Sequence, residues 1–271
     1  GSQVKLNGAL APGGEVDGFD ISPDGGRVVY TADQDTDEMT ELYSVPIGGG
    51  AAVKLSSFMV PDGDVSYFMF SPDGAWVVYL ADQDTDEVYE LYRVPADGSS
   101  APLRLNDALV TDGDVEWFEM GPDGDSVAYV ADQEVNDRME LFRTPIASGG
   151  PVKVNKPLVP GGNVSDFSFS PDGAYLVYTA DQQTDEQYNI YSVLLPGGPP
   201  QKLNQNLGPS QYLYGVTFSP DSSFLLYEVY SETAEATTLF SVRLDGSGGP
   251  DQVNDATGVG SGAGSYQITA D

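Results

Sequence analysis

The chain contains no cysteine and no histidine. Disulfides, thiolate nucleophiles, zinc centres of ordinary composition, histidine-ligated haem and every Ser-His-Asp or Cys-His mechanism are excluded with them. Basic residues are scarce: 11 Lys and Arg stand against 42 Asp and Glu, a formal net charge of −31. Such a field repels a nucleic-acid duplex, so no nucleic acid is expected as a partner. No run approaches the roughly 18 consecutive apolar residues of a membrane-spanning helix, and helical periodicity is absent throughout. What is present is 40% hydrophobic residues, enough for a core, and much glycine, proline and tyrosine (32, 19 and 16). A length of 271 residues is within reach of one large all-β domain.

The organising feature is a repeat. Ser-Pro-Asp-Gly occurs at Ser22, Ser71 and Ser170, with the variants Gly-Pro-Asp-Gly at Gly121 and Ser-Pro-Asp-Ser at Ser219. The prolines fall at 23, 72, 122, 171 and 220, in steps of 49, 50, 49 and 49. Around each turn the text recurs, from VVYTADQDTDEMTELYSVP in the first copy to LLYEVYSETAEATTLFSVR in the fifth, which keeps the apolar frame and loses the acidic loop. Each copy reads as four short strands. The first alternates, as in Phe19/Ile21, Phe68/Phe70, Phe118/Met120, Phe167/Phe169 and Val216/Phe218. Pro-Asp-Gly is a tight turn, with Pro fixing φ and Gly free to take positive φ. The second strand, Val28-Val29-Tyr30 and its equivalents, is apolar on both faces. Leu42 to Val45 begins the third series and Val53-Lys54-Leu55 the fourth.

Four strands per repeat of nearly 50 residues is the blade of a β-propeller. The expectation is an all-β, single propeller domain over 1–271, with blades at 5–55, 56–105, 106–154, 155–203 and 204–254 and a partial sixth unit at 255–271, closing a ring of five or six blades. One blade cannot bury two apolar faces, so stability must come from stacking each sheet on its neighbours. Losing Phe68 or Phe167 to Ala is expected to cost about 3–5 kcal/mol.

The Ser-Pro-Asp-Gly, Val-Val-Tyr-x-Ala-Asp and Glu-Leu-Tyr-x-Val-Pro segments resemble the repeats of TolB-like, PD40-type (WD40-like) propellers, found also in the propeller domains of prolyl-oligopeptidase and dipeptidyl-peptidase relatives. The resemblance covers essentially the whole chain. It implies the fold and is nearly silent on function, because such repeats occur in periplasmic scaffold proteins, peptidase gating domains and surface proteins alike.

From the Asn or Ser that ends each fourth strand to the next turn is a constant 15 residues, as in Asn7 to Ser22 and Asn204 to Ser219, and Asn254 to Thr269 keeps the interval. Tyr266 to Asp271 therefore reads as the first strand of a sixth unit, and Val4-Lys5-Leu6-Asn7 as a fourth strand with no blade before it. Three expectations follow. The polypeptide continues and completes a sixth blade; or five blades close with the N-terminal strand as the seam, leaving a Gly/Ser-rich tail able to add a strand to a neighbour; or the termini of different subunits complete one blade and build a head-to-tail assembly. In the assembly readings Val4, Leu6, Tyr266 and Ile268 form the strand seam, and the partner is protein, the chain itself included.

Strand alternation puts the loops after strands two and four on one face. That face collects Asp33, Asp35, Asp37 and Glu38; Asp82, Asp84, Asp86 and Glu87; Asp132, Glu134 and Asp137; Asp181, Asp185 and Glu186; and Asp62, Asp64, Asp112 and Asp114. Carboxylates two apart can wrap a hard cation, so Asp33, Asp35, Asp37, Asp82, Asp84, Asp86, Asp132, Asp137, Asp181 and Asp185 are candidate calcium ligands. The loop is not an EF-hand: Glu38 stands where Gly is needed and Ser44 where Glu is needed. The competing reading is a solvated hairpin loop whose charges keep edges apart. Lys5, Lys54, Arg104, Lys153 and Lys202 recur in the fourth strand, where a charge discourages edge-to-edge aggregation.

Signs of catalysis are missing. Ser71-Pro72-Asp73-Gly74-Ala75-Trp76 departs from a sialidase Asp box, no Gly-x-Ser-x-Gly elbow exists, and acidic residues that repeat with the blades do not converge on one point. Tyr30, Tyr79, Tyr129, Tyr178 and Tyr227 read as packing between blades, whereas Trp76, Trp117, Tyr212, Tyr214 and Tyr230 break the pattern, and an aromatic cluster on the fifth blade reads as a protein contact patch. The expectation is a secreted, extracellular or periplasmic propeller that binds protein or assembles, without chemistry of its own. Its rivals are the substrate-gating propeller of a larger serine hydrolase or peptidase, and a calcium-binding extracellular propeller.

Overall fold

Alternating apolar residues punctuated by Pro-Asp-Gly turns give a chain built wholly of antiparallel hairpins. A computed structural model describes residues 3–147 and 149–254, and among these every regular element is a strand. The partial sixth unit, with Tyr266 and Ile268, lies outside the described residues. The strands form five four-stranded sheets, each ordered as in the sequence. The first comprises β1 (Val16–Ile21), β2 (Arg27–Ala32), β3 (Glu41–Pro46) and β4 (Val53–Lys54). The second comprises β5 (Val65–Phe70), β6 (Trp76–Ala81), β7 (Glu90–Pro95) and β8 (Leu103–Arg104). The third comprises β9 (Val115–Met120), β10 (Ser126–Ala131), β11 (Glu140–Pro145) and β12 (Val152–Lys153). The fourth comprises β13 (Val164–Phe169), β14 (Tyr175–Ala180), β15 (Asn189–Leu194) and β16 (Gln201–Lys202). The fifth comprises β17 (Gln211–Phe218), β18 (Phe224–Ser231), β19 (Ala236–Arg243) and β20 (Asp251–Gln252).

The turns work as their residues require. Ser71 Oγ donates to Asp73 Oδ1 at 2.6 Å and accepts the Trp76 N–H at 2.9 Å, while Gly74 takes φ 71°. Ser222 holds the same left-handed place in the fifth copy at φ 58°. Within every sheet the recurrent tyrosine stacks on the aromatic opposite it: Tyr30 on Tyr43, Tyr79 on Tyr92, Tyr129 on Phe142, Tyr178 on Tyr191 and Tyr227 on Phe240, with centroids 5.2–5.4 Å apart. The hydroxyl of Tyr79 reaches Gln83 at 3.0 Å, and Tyr30 and Tyr129 do likewise with Gln34 and Gln133.

The chain divides into two compact units, Gly1–Asp137 with Phe142–Val152, and Arg138–Leu141 with Lys153–Asp271. In the first, Val29, Leu42 and Leu55 of the first sheet share a core with Val77, Tyr79 and Ala81 of the second. The next residues along β6, Val78 and Leu80, belong to a different core with Val127, Tyr129 and Phe142 of the third sheet. Because successive side chains point to opposite faces, a doubly apolar strand such as Val77-Val78 is the signature of a sheet covered on both sides. In the second unit Val177, Ile190 and Leu203 of the fourth sheet pack with Leu225, Tyr227 and Val229 of the fifth.

The fifth sheet departs from the others. Its three inner strands run 8 residues where the rest run 6. Tyr230 stands at the position of Asp33 in the repeat, so the acidic loop is lost and β18 continues pairing with β19 to Ser231 and Ala236. Residues 4–7 make no strand pairing in the structure. They nevertheless sit where a fourth strand would: a Cβ on Gly49 would come within 2.7 Å of Val4, as one on Gly98 would come within 2.6 Å of Val53.

Candidate functional site

The acidic loops are held by a backbone network. Asp82 accepts the Asp64 N–H on Oδ1 at 2.5 Å and the Glu87 N–H on Oδ2 at 3.0 Å. Asp132 does the same with Asp114 and Asp137 at 2.6 and 2.9 Å, and Asp181 with Asn163 and Glu186 at 2.5 and 2.8 Å. Asp33 accepts from Glu15 and Glu38. Each of the four is buried and ties the entry of the first strand to the loop after the second. The residue it fixes, Glu38, Glu87, Asp137 or Glu186, is left-handed at φ 58–61°. The entry carboxylate then reaches the preceding blade: Asp64 accepts the Thr40 N–H at 2.6 Å and Asp114 the Tyr89 N–H at 2.7 Å.

Of the remaining candidate ligands, Asp35, Asp37, Asp84, Asp86, Asp137 and Asp185 are exposed. Asp35 pairs with Lys54 at 2.8 Å and Asp84 accepts the Tyr92 hydroxyl at 3.0 Å. Among the described residues no three acidic side chains group as a metal ion would need. The local potential is nonetheless strongly negative. Burial, and then Asp132 and Asp82, raise the Asp114 carboxyl above its ordinary value, and burial with Asp114 and Asp132 raises Glu116.

A partner for the fourth-strand cations escaped the sequence reading. Lys54 pairs with buried Glu41, Arg104 with buried Glu90 at 2.6 Å, and Lys153 with buried Glu140 at 2.9 Å. These cations therefore neutralise a carboxylate inside their own sheet as well as guarding its edge. The signal was available: where the Glu becomes Asn189, Lys202 turns to Asn206 at 3.2 Å.

The largest departure from the repeat lies on the first blade. Phe70, Phe118 and Met120 on the inner strands of the second and third blades are 8%, 5% and 8% exposed. Phe19 and Ile21, their counterparts on β1, are 70% and 46% exposed, and Val16 and Ile47 beside them 40% and 44%. These side chains with Leu6, Val28 and Tyr30 line an open apolar cleft of about 280 Å³. Leu6 packs on the cluster of Val28, Tyr30 and Val45 beneath it, and Val4 is 55% exposed. A second opening, of about 350 Å³, lies between the fourth and fifth blades and is lined by Asp166, Glu186, Tyr188, Tyr212 and Tyr214 among others.

No family model matches the chain. No curated protein matches it either. Solved structures do. A putative TolB from Agrobacterium tumefaciens shares 17% identity over 88% of this chain and 80% of its own, with a TM-score of 0.48. An oligogalacturonate lyase in complex with manganese shares 14% over 86% of this chain and 75% of its own, at 0.48. Dipeptidyl peptidase 4 from Porphyromonas gingivalis shares 15% over 87% of this chain but only 39% of its own, at 0.61. The fold is that of a β-propeller, with five four-stranded blades among the described residues.

Proposed function

We propose that the chain is a secreted or periplasmic propeller module, without catalysis of its own, that binds protein through the open face of its first blade, and that the occupant is a second copy of the chain. The observation that carries this is Phe19, 70% exposed at a repeat position whose counterpart Phe118 is 5% exposed. In the second blade the corresponding face is covered by aliphatic side chains, Val29, Leu42 and Leu55, of the blade before it. Every copy of the chain carries sheets of that composition. An exposed apolar face of this kind is the usual mark of an interaction site.

Light scattering from micromolar to near-millimolar protein tests it. The mass is expected to rise with concentration, and Phe19→Glu to hold the chain at a single mass throughout. A wild-type mass of one chain at every concentration overturns self-association. A second reading, a substrate-gating propeller of a larger hydrolase, draws on the match to 39% of a dipeptidyl peptidase. A reading frame that continues beyond Asp271 into a hydrolase domain would favour it.

A further inference from the structure

The cleft between the fourth and fifth blades is built by the part of the chain that breaks the repeat. On β17, Tyr212 and Tyr214 lie two apart on one face, 42% and 57% exposed, before a bulge at Gly215 with φ 50°. The cleft is also lined by Asp166 of β13 and, on the loop between β14 and β15, by Glu186 and Tyr188. Tyr214 is braced edge-on by Tyr230 at 6.2 Å, the tyrosine that replaces the loop aspartate of the other blades.

The chemistry of the lining is one-sided. It includes two carboxylates, three tyrosines and the amides of Gln187 and Gln211, and no Lys or Arg. Carboxylates outside the lining act on its phenols in the same sense. Glu232 is the leading cause that raises Tyr212 above its ordinary value, and burial followed by Asp181, Asp185 and Glu186 raises Tyr188. An anionic ligand is repelled here, and a chain of net charge −31 concentrates cations at its surface. Electron-rich rings beside carboxylates are how proteins hold organic ammonium groups. A volume of about 350 Å³ sits at the low end of ordinary ligand pockets, larger than a bare metal ion needs and too small for a folded partner.

We propose that this cleft binds an alkylammonium group, either the end of a small aliphatic amine or the side chain of a lysine, between the tyrosines 212 and 214 and the carboxylates of Asp166 and Glu186. The site lies on different blades from the self-association face, and the two stand or fall separately.

Saturation-transfer NMR and calorimetry on the full chain test this with four probes: 1,4-diaminobutane, an end-blocked Ala-Lys-Ala peptide, 1,4-butanediol as neutral isostere, and a methyl glucoside. Binding of the diamine alone assigns a free amine, and binding of the peptide assigns a lysine side chain. Tyr214→Ala and Asp166→Asn are each expected to weaken it by about tenfold. Asp86→Asn removes the same charge from an exposed loop of the second blade and is expected to leave binding unchanged. The proposal is overturned if neither cation binds, if butanediol or the glucoside binds as well as the diamine, or if Asp86→Asn weakens binding as much as Asp166→Asn, which would indicate diffuse attraction to the polyanion. Melting curves of the variants, whose altered side chains are exposed, separate loss of the site from loss of fold.

Discussion

Asp132 shows what the acidic residues do one at a time. Its side chain is 3% exposed and spends one oxygen on the Asp114 N–H and the other on the Asp137 N–H. Asn can accept only one of those bonds and turns its own NH₂ toward the second donor. Asp132→Asn is therefore expected to cost about 1.5–3 kcal/mol in urea denaturation, the range for hydrogen bonds to a charged group, whereas exposed Asp86→Asn changes little. Because no three acidic side chains among the described residues group as a metal ion would need, melting temperatures in EDTA and in millimolar calcium are expected to coincide. The turn aspartates set the acid response. Asp24, Asp73 and Asp221 are held below the ordinary carboxyl value, chiefly by the hydroxyl of the serine two residues earlier, and Asp33 chiefly by the Glu15 N–H. For a group depressed in the folded state the unfolded chain takes up the proton first, so its stabilisation is present above the unfolded value and lost as pH falls through the folded one. Asp114 and Glu116, raised mainly by burial, act in the opposite sense, but the depressed group is the larger. The urea midpoint is expected to fall once pH drops below about 4, and Asp73→Asn to flatten that slope.

At the scale of the strand and sheet, position in the repeat decides the energetics. Phe118 is closed in against the second blade's core, with Tyr67 tilted on it at 5.4 Å, and Phe118→Ala is expected to cost about 3–5 kcal/mol. Phe19→Ala at the same repeat position is expected to cost under about 1 kcal/mol, because that ring is mostly in water already; parallel denaturation curves check the pair. Phe68, expected to match Phe167, is only half-buried, and its truncation belongs between these limits. Strands, turns and blades were legible because they rest on local signals that repeat: alternation, Pro-Asp-Gly, and doubly apolar second strands. Residues 4–7 were read as a strand; the structure gives them its place without its pairing, since no adjoining third strand is present among the described residues to supply the ladder. The backbone network was hidden for a different reason. An aspartate clamping an N–H 18 residues earlier leaves no mark in composition, although the constant interval between Asp64 and Asp82 or Asp114 and Asp132 could have exposed it. The Glu90–Arg104 pairing, likewise, joins neighbouring strands through side chains that alone look like ordinary surface charges.

For the whole molecule the decisive quantity is charge. Two features set single copies of the repeat apart from the rest: the exposed apolar face of the first blade and the tyrosine-lined cleft beside the fifth. The first is not visible in the sequence, because Phe19 reads the same as Phe118 until its neighbours are known, whereas the second is marked there by Tyr212, Tyr214 and Tyr230, which break the repeat. The apolar face favours association, but two copies carrying −31 each repel one another, and the Debye length shrinks from about 30 Å at 0.01 M salt to about 3 Å at 1 M. Burial of the Phe19 face does not weaken with salt, whereas the repulsion does. Self-association is therefore expected to strengthen as sodium chloride is raised, opposite to the behaviour of an interface held by complementary charges. Folding stability should rise in the same direction, since the folded chain also confines its own charges. Sedimentation equilibrium across a salt series, with Phe19→Glu alongside, checks this: wild type should gain mass with salt and the variant should not. A dimer that dissociates as salt increases would mean that the contact is electrostatic and does not use the first-blade face.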